Sequence, residues 1–413
     1  MTALAAAVLA ALAVGLVPVT GAHADNSHLP LGDPDLTETR STATLADGVT
    51  LTHIVRGTEP APPDQINTTT RGPWVVNVLT IDPSRAQGHL AATFGPDLAQ
   101  TEKTTDLVRS AGALAGVNGS FFTFTASQQF PGDPVGLGLY GGRLLSEPTT
   151  DPTETDFVFN AVSNRVLTGP LHWSGTMINT LTGDKLPLEF IDHPPVVPAG
   201  CATLTDQTQC TQPGDLVEFT PEFAASTPSG PGVEVVLDRQ GCVVRTMTSR
   251  GTQLAAGQTS LQATGQDTVS LLSATKQGCL RRQLSLTDQQ GDHLAVDQNV
   301  FGVNGRFQLV SGGQIVVPAG SGSFFDRNPR TIAGATSDHK IILATIDGRS
   351  TASVGTTLAE TAAVAQALGM SVAVNLDGGG STAMSVEGNL INHPSDPGGE
   401  RAVGDALVYI DHQ

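Results

Sequence analysis

Three consecutive glycines close the stretch Val374-Asn375-Leu376-Asp377-Gly378-Gly379-Gly380-Ser381. No regular helix or strand runs comfortably through such a triplet, because glycine loses more backbone freedom on ordering than any other residue. The apolar run that begins at Ser371 must therefore end here as a strand and turn. With the two-residue period of a strand, Val372, Val374 and Leu376 share one face while Ala373, Asn375 and Asp377 share the other. An asparagine and an aspartate thus point the same way at a strand mouth. The N–H groups of Gly379, Gly380 and Ser381 are then free to turn inward as a nest for an oxyanion. Asn375, Asp377, Gly378, Gly379, Gly380 and Ser381 form a first candidate site.

Elsewhere the pattern predicts strands with a few helices. Residues 41–57 alternate around an Asp47-Gly48 turn, and Trp74 to Asp82 read as a buried strand. Residues 104–112 predict a short helix with a threonine cap and a stopping Gly112, feeding a strand that ends at Asn118. Near the end, residues 340–348 predict a strand. The helix that follows has a Thr357/Glu360 capping box and a stopping Gly369, and it leads into the Asn375 strand. The order Thr-Ile-Asp, helix, glycine, strand, asparagine therefore occurs twice, with Asn118 and Asn375 at matching offsets. The fold class these elements predict is α+β: mixed sheets with helices, arranged as two related β-helix-β halves, plus a loop-rich β section at about 160–297.

The chain has 413 residues, and its 21 Lys and Arg against 39 Asp and Glu leave a net charge of -18. That field repels nucleic acid and anionic membranes, so neither is expected as a partner. Residues 1–24 read as a signal peptide, an apolar run with an Ala22-His23-Ala24 cleavage signature, although the usual basic start is missing. Residues 25–40 read as a flexible segment, and 41–413 as one catalytic domain. The expected location is secreted, with no membrane contact after cleavage. Cys201, Cys210, Cys242 and Cys279 make no C-x-x-C pair, which favours disulfides in an exported chain. Of the three connectivities, Cys201 with Cys210 and Cys242 with Cys279 is the most local.

Several motifs occur in an informative order: Gly116–Phe122 (GVNGSFF), Asp133–Leu145 (DPVGLGLYGGRLL), Arg327–Thr336 (RNPRTIAGAT), Ile346–Arg349 (IDGR), Asn375–Met384 (NLDGGGSTAM) and Gly399–Tyr409 (GERAVGDALVY). In this order the chain resembles the phosphodiester glycosidase family, which includes the mannose 6-phosphate uncovering enzyme and many secreted bacterial proteins, from roughly Thr42 to Ile410. The resemblance implies hydrolysis of a sugar-1-phosphodiester, typically of N-acetylglucosamine, to free sugar and a phosphomonoester. Three positions depart from the family: Asp405 stands where asparagine is usual, His393 where a basic residue is frequent, and Ser120 where glycine is frequent. These leave the reaction class in place and the sugar open.

Such a reaction needs carboxyls at the sugar and cations at the phosphate. Asp377 is the expected nucleophile or general base and Glu400 the second carboxyl. Arg330 and Arg401 are the expected phosphate ligands, since the planar guanidinium fork matches phosphate, and Thr331 adds a hydroxyl. An ion pair of Arg401 with Glu400 or Asp405 is the competing reading. Asn118 and Asn375 are placed either to bond sugar hydroxyls or to satisfy the backbone at their strand ends, while Asp347 reads as a turn residue. No cofactor is called for, although the oxygen-rich LDGGGS and SDPGGE stretches leave calcium open. Two other functions fit the same sequence: a metal-dependent phosphodiesterase that breaks the P–O bond, and a non-catalytic binder of anionic cell-wall glycans or exopolysaccharide. Oligomeric state is not encoded in any feature above.

Overall fold

The computed structural model describes residues 28–412, so the expected signal peptide lies outside the described residues. Its largest sheet has eight strands in the order Glu38–Ala46, Val49–Arg56, Trp74–Ile81, Ile341–Ile346, Arg330–Thr336, Met370–Asn375, Gln308–Ser311 and Gln314–Ile315. Every neighbour pair in it is antiparallel. The central strands are covered on both faces, which explains why they read as unbroken apolar runs. Alternate residues serve two cores. Val76, Val78, Ile342, Ala344, Ile346 and Ala373 meet the helix Leu358–Ala367 on one side. Leu79, Ile81, Ile341, Leu343, Ala333 and Val374 face the other side, where they pack with Ala115, Val117, Leu407 and Tyr409 of a second sheet.

That second sheet runs Asn389–Leu390, Met384–Val386, Ala115–Asn118, Asp405–Ile410 and His89–Phe94. A third, with Glu154–Asn160 and Val300–Arg306 at its centre, adds Phe157, Phe159 and Val303 to the same core. The middle section contributes two further sheets and a core of its own around Val233, Val235, Leu261 and Leu271. Its cysteines are joined Cys201 to Cys210 and Cys242 to Cys279.

The α+β expectation is overturned. The described residues are mostly β, in several sheets whose pairing is antiparallel except between Phe190–Ile191 and Leu216–Phe219, and they include three short α-helices, Thr104–Ser110, Asp267–Ala274 and Leu358–Ala367. Turn residues recur too often along this chain for longer helices to propagate, so sheet pairing takes up the backbone hydrogen bonds. Nor are there two equivalent β-helix-β halves. Ile341–Ile346 and Met370–Asn375 share one sheet, separated by Arg330–Thr336, whereas Trp74–Ile81 and Ala115–Asn118 lie in different sheets. The two aspartates of the echo differ as well: Asp82 caps a surface turn through Ser84, whereas Asp347 is buried and accepts from the Asn392 amide and the His393 N–H.

Two local expectations also change. Within the stretch read as flexible, Leu29, Leu31 and Leu36 are buried, because they cover the outer apolar face beside Trp74. Thr104 does not cap its helix; Lys103 occupies that position and offers no side-chain acceptor. The capping box at Thr357 and Glu360 is complete, each side chain bonding the other's backbone N–H. Glu360 also pairs with Arg327 at 3.0 Å, fixing the segment that leads to Arg330. Replacing Thr357 by Ala is expected to lower stability by about 1 kcal/mol, read as a lower urea midpoint at unchanged m-value. An unchanged midpoint would show that tertiary packing alone holds this helix end.

Candidate functional site

The strand Met370–Asn375 hands its chain from the large sheet to the second one, and a few hydrogen bonds steer the crossing. Leu376 N–H donates to the Thr331 carbonyl at 2.9 Å and Asp377 N–H to the Gly119 carbonyl at 3.1 Å. The Asn118 amide donates to the Asp377 carbonyl at 2.7 Å, and its oxygen accepts from Thr331 Oγ1 at 2.7 Å and Ala383 N–H at 3.1 Å. Asp377 is thereby fixed through its backbone, with its carboxyl left to face a cavity of about 230 Å³. Asn375, Asn328, Arg330, Arg349, Phe121 and Phe324 are among the residues that line this cavity.

Two cations face this cavity. Arg330 is buried, its Nε donating to the Thr356 carbonyl at 3.2 Å and its Nη2 to the carbonyls of Phe324 at 2.6 Å and Asp326 at 2.9 Å. Its guanidinium carbon lies 5.3 Å from the centre of the Phe324 ring. Arg349 donates to Asn328 Oδ1 through Nη2 at 2.8 Å and through Nε at 3.2 Å. Among the described residues neither arginine has a carboxylate in ion-pair range. Burial, together with the neighbouring Arg349 charge, pushes Arg330 down to about 10, still fully charged at neutral pH. Asp377 is pushed the other way, up to about 6. Loss of bulk water and the nearby Asp405 charge outweigh the Ser381 hydroxyl, the Gly378 N–H and the Arg401 charge. Asn375 donates to the Leu376 carbonyl at 3.0 Å, but its Oδ1 is buried without a partner. An orphaned acceptor in a cavity wall is a place where a ligand donor belongs.

The cavity is not the roomiest in the molecule. A hollow of about 590 Å³ lies in the middle section, but there Arg143 pairs with Glu222 at 2.5 Å and Arg282 with Glu218 at 3.0 Å. Its cations are already answered in part.

Several expected residues stand elsewhere. Thr331 and Asn118 are buried behind the cavity and bonded to each other, so they act on its framework. Glu400 accepts from Thr105 N–H at 2.9 Å and Thr105 Oγ1 at 2.8 Å, capping the helix that Thr104 was expected to cap. Arg401 pairs with neither Glu400 nor Asp405. Its partner is Asp396, with Nε and Nη2 each 2.7 Å from one carboxylate oxygen, and its guanidinium stacks 4.5 Å from the Phe124 ring centre. The glycine nest does not form, because Gly379 N–H donates to the Pro329 carbonyl at 2.9 Å and Ser381 N–H to the Gly378 carbonyl at 3.1 Å. The residues missed were Arg349, Asn328, Phe121 and Phe324. Arg349 sits within the quoted IDGR motif, but its φ of 60°, unusual for an arginine, is what turns it toward Asn328.

Residues 231–410 match the model of the family described as phosphodiester glycosidase. That span holds Arg330, Arg349, Asp377 and Arg401, and over it the chain is similar to the phosphodiester glycosidases. A putative exported protein of Burkholderia pseudomallei has a solved structure that aligns at 27% identity and TM-score 0.77, over 93% of this chain and 98% of that one. A hypothetical protein from Synechocystis shares the fold at 18% identity and TM-score 0.66, over 91% of this chain and 68% of that one. An SPbeta prophage-derived uncharacterized protein of Bacillus subtilis is 43% identical over 82 residues, which are 20% of this chain and 13% of that protein.

Because Glu400 is committed to a helix end, Glu400→Ala should lower stability by about 1 kcal/mol and leave kcat within about threefold. Thermal melts and steady-state kinetics on the same preparation check this. A folded variant with kcat down by two orders of magnitude would restore Glu400 to the chemistry.

Proposed function

We propose that the protein is a secreted hydrolase that cleaves the C–O bond of a sugar-1-phosphodiester, of the N-acetylglucosamine kind, releasing free sugar and a phosphomonoester. One observation carries the reading: two arginines without carboxylate partners face a cavity that also holds a single carboxyl of raised pKa. Arg330 is buried and held by carbonyls alone, so its charge is left for an anion that enters beside Arg349. The phosphodiester supplies it, with Arg330 and Arg349 donating to its oxygens and the Asn375 oxygen accepting from a sugar hydroxyl or amide. Two disulfides, the A-x-A sequence ahead of Asp25 and the likeness to an exported protein support secretion. In this reading residues 41–413 are one catalytic unit, with the stapled section at about 160–297 built into it.

In the reaction, Asp377 takes a proton from water as the water oxygen bonds to C1, the C1–O bond breaks, and its electron pair stays on the phosphate oxygen. That oxygen is a good leaving group when two guanidiniums share its charge, so a second carboxyl to protonate it is not needed. Asp377 must be ionised to act, which makes activity high above pH 6 and falling as pH drops through about 6.

Hydrolysis of a sugar-1-phosphodiester in ¹⁸O-water should place the label on the sugar; label in the phosphate means P–O cleavage and overturns the reading. Asp377→Asn should cost well over ~100-fold in kcat with folding intact. Arg330→Lys or Arg349→Lys should impair phosphodiesters far more than an uncharged aryl glycoside, since charge remains but the guanidinium anchored by its Nε and Nη2, with Nη1 left to donate, is lost. Equal loss on both substrates would assign these arginines to structure.

A further inference from the structure

We propose that Asp405 is the positioning residue of this site: it anchors the loop on which Asp377 and the Phe121 wall both rest, and it places a second buried negative charge beside Asp377. The inference rests on the proposed role of Asp377 as base. Asp405 is fully buried and has no cationic partner among the described residues. Three donors converge on it instead: Ser120 N–H at 2.6 Å on Oδ1, and Ser120 Oγ at 2.7 Å and Tyr140 OH at 2.6 Å on Oδ2. Burial pushes the Asp405 carboxyl above the usual carboxylate range, and these three donors oppose that shift.

The loop it anchors is short and fully used. Gly119 N–H donates to the Asp405 carbonyl at 3.1 Å, and the Gly119 carbonyl accepts from Asp377 N–H at 3.1 Å. A Cβ on Gly119 would lie 2.4 Å from Asp405 Oδ1, so only glycine lets the carboxylate come this close. Two residues on, Phe121 N–H donates to Asn304 Oδ1 at 3.1 Å and the Asn304 amide returns to the Phe121 carbonyl at 3.2 Å. Asp405 therefore reaches the cavity through bonds of known order: carboxylate to Ser120, Gly119 to Asp377, and Phe121 into the wall.

Charge reaches it too. The groups that face Asp377 are Arg330 and Arg349 across the cavity, Ser381, and Arg401 with its partner Asp396 on one side, with Asp405 on the other. Those that face Asp405 are Ser120 and Tyr140, with Asp133 beyond the tyrosine. Asp405 opposes ionisation of Asp377, whereas Arg401 favours it. Neutralising Asp405 must lower the pH at which Asp377 becomes a working base.

The test is the pH profile of kcat/KM on a sugar-1-phosphodiester for the wild type, Asp405→Asn, Ser120→Ala and Asn304→Ser, with melting curves for each. Asp405→Asn should move the acid limb to lower pH by about half a unit or more and reduce the plateau by roughly tenfold or more. Ser120→Ala strips one donor from Asp405 and should move the limb the same way by less; it decides the matter if Asp405→Asn does not fold. Asn304→Ser loosens the Phe121 wall without touching a charge, so it should lower the plateau and leave the limb in place. An unmoved limb in a folded Asp405→Asn, or an equal shift in Asn304→Ser, overturns the proposal. If Asp377→Asn keeps wild-type activity, the underlying reading of Asp377 has failed instead.

Discussion

A single buried amide holds the site together. Asn118 ends a strand of the second sheet, and its side chain bonds the Asp377 carbonyl, the Thr331 hydroxyl and the Ala383 N–H, which belong to three other segments of the chain. Each of those groups would otherwise be a buried polar atom without a partner, at roughly 1–3 kcal/mol apiece. The amide is thus the knot where the eight-stranded sheet, the second sheet and the turn after Asp377 meet. Because its donor and acceptor are both used, the crossing has one geometry, and the Asp377 carboxyl has one direction in which to point. Asn118 serves the site from behind, which is why it does not line the cavity.

Electrostatics then gives that cavity its character. The chain carries a net charge of -18, and Arg401, Arg327, Arg282 and Arg143 each pair with a carboxylate. Arg330 and Arg349 are solvated instead by carbonyls and an asparagine oxygen. Carbonyl oxygens stabilise a cation without neutralising it, so the positive potential is preserved for whatever enters. Asp377 sits at the edge of that potential, and its raised pKa shows that loss of solvent outweighs the help of nearby charge.

How much of this could be read from the residues depends on range. The Asp47-Gly48 hairpin, the capping box at Thr357 and Glu360, and the shared face of Asn375 and Asp377 are local, so turn chemistry and period reveal them. Glu400 is different: its partner Thr105 lies 295 residues away, and nothing near it in sequence signals a helix end. Arg349 was hidden by backbone conformation, since a positive φ at an arginine cannot be read from an Ile-Asp-Gly-Arg string. The fold class failed for a related reason. Strand-helix-strand patterns are visible locally, but whether the two strands join one sheet or two is decided by pairings far along the chain.

The glycine triplet illustrates the same limit from the other direction. Flexibility and a free oxyanion nest are the obvious uses of three glycines, yet two of the nest's N–H groups are taken by neighbouring carbonyls. What the triplet supplies is proximity. A Cβ on Gly380 would lie 2.1 Å from Arg401 Nη2 and 2.2 Å from Asp396 Oδ1, and one on Gly378 would lie 2.8 Å from the Pro329 carbonyl. Gly379, at φ 61°, lets the chain turn between them and sits beneath the Arg349 guanidinium. Side chains at these positions would push Arg401 and its carboxylate partner away from the Asp377 turn, and would part that turn from the segment carrying Arg330. The absence of side chains is therefore what allows a carboxyl and three guanidiniums to be packed around one short turn.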